Sequence, residues 1–249
     1  MAVYTQKEDY RFHRGITHMK VLRKRKVSLI VSSVAIFAAI HTILGLIPGI
    51  WRSQMILIEP LEGVVLGPKG GFLSALIGGL LARFIRPRVP VMYLFGLGEP
   101  VGALVAGLTY KGAILPVVSI YTLMLLVYFL HPLGRILPAW CLWDIYIAYA
   151  VSLIYLIFSH RLGRRRELRL LIAALLGIEA DVLTRIFLLI PVELYRVLGL
   201  SERVLTILWI AGAFETPIET AISVFTTLVI GIPLLSILDK IEGLEYPLT

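Results

Sequence analysis

The chain has 249 residues, 58% of them hydrophobic and only 16% charged, with a mean hydropathy of +0.88. Soluble domains are roughly 45–50% apolar and about 25% charged, so this composition leaves too little polar surface to face water all round. The net charge of +8 does not describe a nucleic-acid surface either. Its cations gather beside apolar runs, as Lys20, Arg23, Lys24, Arg25 and Lys26 and as Arg161, Arg164, Arg165, Arg166 and Arg169, where they set topology and meet anionic lipid.

Residues 1–26 read as a basic cytoplasmic tail and 27–249 as a single transmembrane helical domain, because no Pro/Gly/Ser-rich linker divides the apolar runs. The runs are continuously apolar and of a length to cross about 30 Å of hydrocarbon, whereas barrel strands would alternate in about 10-residue pieces. The predicted fold is an all-α, polytopic transmembrane helix bundle of six to eight helices in the cell membrane. Run 27–50 is too long for the core of a cleaved signal peptide and reads as an uncleaved first span closed by Pro48-Gly49. Run 55–66 is short, closed by Gly67-Pro68-Lys69-Gly70-Gly71, and either spans or re-enters. Runs 71–85, 91–110, 113–130, 137–158, 168–190 and 204–238 follow. If all span, the positive-inside rule puts both termini, Lys69, Lys111 and the 161–169 loop in the cytoplasm. Arg83, Arg86 and Arg88 then fall outside, against the rule. A faint internal echo, Glu59-Pro60 through Gly63 and Glu99-Pro100 through Ala103, recurs after 40 residues. Gly/Pro-interrupted repeats point to binding sites in transporters, although Glu-Pro is a common dipeptide.

Carboxylates in apolar runs must pair, face the bundle interior or hold a proton. Glu59, Glu62, Glu99, Asp144, Glu179, Asp181, Glu193, Glu215 and Glu219 are such groups. Asp181 and Arg185 are four apart and can pair along one helix face. Glu215 and Glu219 share that spacing with like charge and bracket Pro217, so either a proton, a cation or an arginine such as Arg185 relieves them, or the helix starts near the membrane surface with both wetted. Trp140, Trp143, Tyr146 and Tyr149 crowd around Asp144, as an interfacial belt or as a ring-lined pocket. The candidate substrate-binding residues are therefore Glu215, Glu219, Arg185, Asp181, Asp144, Trp143 and Glu99. Ala35 and Ala39, with Gly71, Ala75 and Gly79, are small residues at spacing four and read as internal packing or as a docking face for a membrane partner.

Cys141 is the only cysteine, which removes disulfides within the chain and cysteine-based metal sites. The five histidines show no metal-ligand spacing, and no nucleophile elbow, zincin motif or P-loop occurs. No cofactor and no metal are expected, and no enzymatic activity.

Ala35-Ile36-Phe37-Ala38-Ala39 in the first span, the Gly-Pro-closed short helix before a small-residue helix (Gly63 through Gly79), and Gly231-Ile232-Pro233-Leu234-Leu235 in the last run resemble, in that order, the substrate-binding (S) component of energy-coupling-factor transporters. The resemblance covers about 29–83 and 204–238 and carries no pocket residue over by motif. It implies capture of a vitamin-like small molecule from outside and docking onto a transmembrane coupling subunit driven by separate ATPase subunits. The alternative is a self-contained ion-coupled transporter or channel using Glu215 and Glu219. A third reading is an intramembrane or lipid-modifying enzyme.

Overall fold

The first apolar run forms helix α1, Val27–Gly45. It stops short of Pro48, whose backbone bridges to Ser53 and turns the chain back into the bundle. The computed structural model describes residues 27–50, 52–87, 90–163, 165–241 and 246–249, apart from the side chains of His160 and Arg161. The tail at 1–26 with its cationic cluster, Arg88 and Arg164 lie outside the described residues. The remaining helices are α2 Glu59–Ile85, α3 Val91–Leu94, α4 Gly98–Tyr110, α5 Ile114–Leu130, α6 Pro132–Ile136, α7 Trp143–Leu162, α8 Arg166–Leu189, α9 Leu194–Val197 and α10 Glu202–Leu238. No β-strand occurs among the described residues. Five segments are long and apolar enough to cross a membrane: Val27–Gly45, Glu59–Ile85, Val91–Tyr110, Ala139–Ser159 and Glu202–Leu238. The expected all-α membrane bundle is therefore what the chain forms.

Helix α2 is two legs. Gly67 has φ 83° and ψ 174°, a conformation essentially restricted to glycine, and Pro68 opens the second leg. The legs fold back on one another so closely that a Cβ on Gly71 would lie 2.7 Å from Gly63 Cα. Run 55–66 is thus the short leg of a helical hairpin. Its turn is met by the 246–249 segment: Leu248 N donates to Val65 O at 3.2 Å and Thr249 N to Leu66 O at 2.9 Å. Gly70 N donates to Thr249 Oγ1 at 2.9 Å, and Lys111 Nζ donates to Thr249 O. Backbone freed from helical bonding needs such partners where lipid replaces water.

The 40-residue echo is built into the fold. Each copy has a 3₁₀ turn (Gln54–Leu57 or Phe95–Leu97), then a Glu-Pro helix start. Each ends at a glycine of positive φ, Gly67 or Gly112 at 80°, and hands over to a returning helix. The two inward legs run side by side and parallel. A Cβ on Gly63 would overlap the Ala103 carbonyl, and one on Gly107 would come within 2.7 Å of Gly63 O. Helix α8 packs across α4 through Gly177, where a Cβ would meet Gly102 O at 3.0 Å.

The small-residue ridges serve this packing. Thr42 of α1 donates to Gly78 O at 3.2 Å, and Gly71, Ala75 and Gly79 are buried within the chain. They are therefore not a docking face, because their own helices already occupy it. Ala35 and Ala39 are exposed on α1, among exposed Ile36, Ile40 and Ile43.

The bundle has two unlike ends. At one, Arg166 Nη1 donates to Asp239 Oδ2 at 2.5 Å, Tyr246 OH donates to Asp239 Oδ1 at 2.6 Å, and Arg169 stacks over Tyr110; Lys69 and Lys111 lie here too, beside the hairpin turn. The bond from Tyr246 and the Arg166 guanidinium hold the Asp239 carboxyl below the usual carboxylate range. Its contribution to stability is therefore present at neutral pH and is lost on acidification through that lowered pKa. The opposite end carries the Pro48–Ser53 turn, Arg86, the 3₁₀ turns and the α8–α10 connection.

Candidate functional site

Six side chains from five parts of the chain form an alternating ion chain in the bundle interior. Glu219 of α10 accepts from Arg52 Nε and from the Arg52 backbone N, both at 2.8 Å. Arg52 Nη1 donates to Asp181 Oδ2 at 2.8 Å. Arg185, one turn along α8, donates through Nε to Asp181 Oδ1 at 2.7 Å and through Nη2 to Glu99 Oε1 at 2.5 Å. Arg83 Nη2 closes the chain on the same Glu99 oxygen at 2.7 Å. The three carboxylates are essentially buried, at no more than 2% side-chain exposure, and Arg52 is at 3%. Three positive and three negative charges cancel, which is the condition under which ions are tolerated inside a membrane protein. Glycines make room for it: a Cβ on Gly98 would collide with Asp181, and one on Gly102 with Glu59.

This chain forms the floor of a cavity of about 560 Å³ at the end of the bundle opposite the 66–70 hairpin turn. Arg52, Arg83, Arg185 and Glu99 line the floor, Asp144 and Thr216 one side, and Arg86 the rim. The remaining wall is mainly apolar and comes from the ends of α1 and α8, the start of α10 and the 3₁₀ turns. Arg83 and Arg86, which conflict with the positive-inside rule, thus have local uses. Arg83 is neutralised by Glu99, and Arg86 Nη1 donates to Leu46 O at 2.9 Å.

Asp181, Arg185, Glu99, Glu219 and Asp144 converge on this region, whereas two other candidates do not. Glu215 is half-buried, makes no hydrogen bond or ion pair among the described residues and does not line the cavity. It forms no pair site with Glu219, whose charge is met by Arg52 rather than Arg185. Trp143 turns its indole to Ala213 O, at 2.9 Å, and is 44% exposed. The other rings around it also disperse: Tyr146 donates to Ala139 O, Tyr149 pairs with Thr122, and Trp140 is exposed. Asp144 instead accepts from Thr216 Oγ1 at 2.6 Å on the cavity wall. The rings that do line the cavity are Phe95 and Trp209, the latter anchored by Nε1 to Tyr128 OH at 3.1 Å. Arg52, Arg83 and Trp209 are the site residues that sequence reasoning missed. The signal for Arg52 was a lone cation between two apolar runs.

Beneath the floor the carboxylates outnumber their cations. Glu62 pairs with His41 Nδ1 at 2.9 Å. Glu59 is wholly buried with neither oxygen hydrogen-bonded, and Glu179 Oε2 is likewise unpartnered among the described residues. No cluster of His, Cys, Asp and Glu suited to a metal ion occurs among the described residues. No protein-family model, no curated protein and no solved structure matches the chain.

Proposed function

We propose that the protein is a membrane-embedded substrate-binding component of an uptake transporter, of the energy-coupling-factor S-component type. The observation that carries this reading is the cavity with the charged floor, at the end of the bundle opposite Lys69, Lys111, Arg166 and Arg169. If those cations face the cytoplasm, as they do under the positive-inside rule, the cavity faces outward and is placed to capture a small molecule. With no P-loop in the sequence, energy comes from ATPase subunits acting through a transmembrane coupling subunit. Ala35 and Ala39 remain available on the open face of α1 as the docking contact.

The test is the chain purified from its own membrane in mild detergent. ATPase activity should co-elute with it. Ala39→Leu should abolish that co-elution while leaving the melting temperature of the isolated chain unchanged, whereas Ala75→Leu, at a buried position, should lower it. A chain that elutes alone and by itself accumulates solute in liposomes would overturn the proposal.

A second reading, a self-contained proton-coupled carrier, is favoured by one observation: the buried Glu59, unpartnered among the described residues. An isolated carboxylate in such a place is a natural proton holder. On that reading, uptake driven by an imposed pH gradient occurs without partners and is lost in Glu59→Gln, which keeps the side-chain shape.

A further inference from the structure

The cavity's charge and shape carry a statement about what fits it. Four arginines line it, Arg52, Arg83, Arg86 and Arg185, against two carboxylates, Glu99 and Asp144. The other two acids of the ion chain, Asp181 and Glu219, lie behind Arg52 and do not line it. The side chains a ligand meets therefore have an excess of two positive charges.

The donors are also underused. Each guanidinium has five N–H groups, and among the described residues the side-chain bonds of Arg52, Arg83 and Arg185 engage only two nitrogens apiece. Arg52 Nη2 is buried with no partner, and Arg185 keeps 19% side-chain exposure with Nη1 unbonded among the described residues. Asp181 and Glu99 hold the arginines in place, so their planar forks stand ready for a planar anion without further ordering. Above them the wall is apolar, with Phe95, Ile186, Leu189, Leu198, Leu208 and Trp209.

We infer that the cavity takes an amphipathic organic anion, a carboxylate head on the arginine floor and an apolar body against the wall of α8 and α10. This inference rests on the cavity being the substrate pocket. A cationic ligand would have to reach Glu99 past the two arginines that already share its Oε1, its other oxygen Oε2 being buried, and Asp144 is taken by Thr216. A neutral one would leave the unspent donors buried and unpaired on binding, which is costly.

Cys141, the only cysteine of the chain, lines the cavity and reports on its occupancy. The protein is placed in nanodiscs of zwitterionic lipid, and Cys141 is modified with a small methanethiosulfonate. Modification is timed in the presence of 3-phenylpropionate, 3-phenylpropylamine or 3-phenylpropanol. The carboxylate should slow modification saturably, and the amine and alcohol should not at the same concentration. Arg86→Gln, which removes a rim charge paired with no carboxylate among the described residues, should raise the half-protecting concentration about tenfold. Equal or better protection by the amine or the alcohol overturns the anion assignment and leaves the cavity a binding site. Saturable protection by none of the three overturns both the assignment and the pocket reading it rests on.

Discussion

Arg52→Met should be the most damaging single substitution in the protein, costing about 3–5 kcal/mol and lowering the melting temperature by about 10 °C or more. Methionine fills much of the same volume, so the loss is electrostatic. Arg52 stands between Asp181 and Glu219, donating to each at 2.8 Å, and its removal leaves both carboxylates buried without the guanidinium that joins them. Breaking a buried pair by removing one member costs far more than replacing the whole set, because the surviving charge is stranded. The double substitution Arg52→Met with Glu219→Gln should therefore melt above Arg52→Met alone. The measurement is a thermal melt of detergent-purified protein followed by intrinsic fluorescence. A single variant that melts with wild type would mean that the ion chain does not hold α8, α10 and the 46–58 loop together.

Gly63→Ala should come second, at about 1–3 kcal/mol or more. The added methyl overlaps the carbonyl oxygen of Ala103 and sits 2.7 Å from Gly107 N. These are backbone atoms of a helix, so no side chain can swing aside. The short leg of α2 has to move off α4, and that also shifts Glu59 and Glu99, the first-turn residues of the two legs. Gly212→Ala is the control. It is equally a helical glycine, but a Cβ there meets nothing, so the substitution should be neutral or raise stability by up to about 1 kcal/mol. Equal melting of both variants and wild type would show that the parallel pair tolerates separation.

The contrast between Arg52 and Glu215 shows how far the sequence could be read. Apolar runs identify the helices because lipid demands it, and 204–238 differs from α10 by two residues at its start. The Asp181–Arg185 pair was legible because both members sit on one helix at spacing four. Arg52 was not, since its partners lie 129 and 167 residues away and only tertiary packing brings them together. Glu215 and Glu219 misled for a geometric reason. Four residues turn a helix by about 400°, so an i,i+4 pair differs by about 40°. At the edge of a buried face that is enough to put Glu219 inside and leave Glu215 half-buried. The Gly67-Pro68 closure was readable as a stop. That it folds a short leg back beside α4 was not, because the evidence lies in which glycines touch. The repeated Glu-Pro start was the one hint of it.

Capture from outside requires the cavity to face outward while the Lys69–Lys111–Arg166 end faces the cytoplasm. In a Cys141→Ser background, single cysteines at Leu200, on the cavity wall, and at Gly163, in the connection between α7 and α8, are exposed to a membrane-impermeant maleimide on intact cells and on inverted vesicles. Leu200→Cys should be labelled on cells, and Gly163→Cys only on inverted vesicles. The reverse pattern would turn the cavity to the cytoplasm and contradict capture from outside.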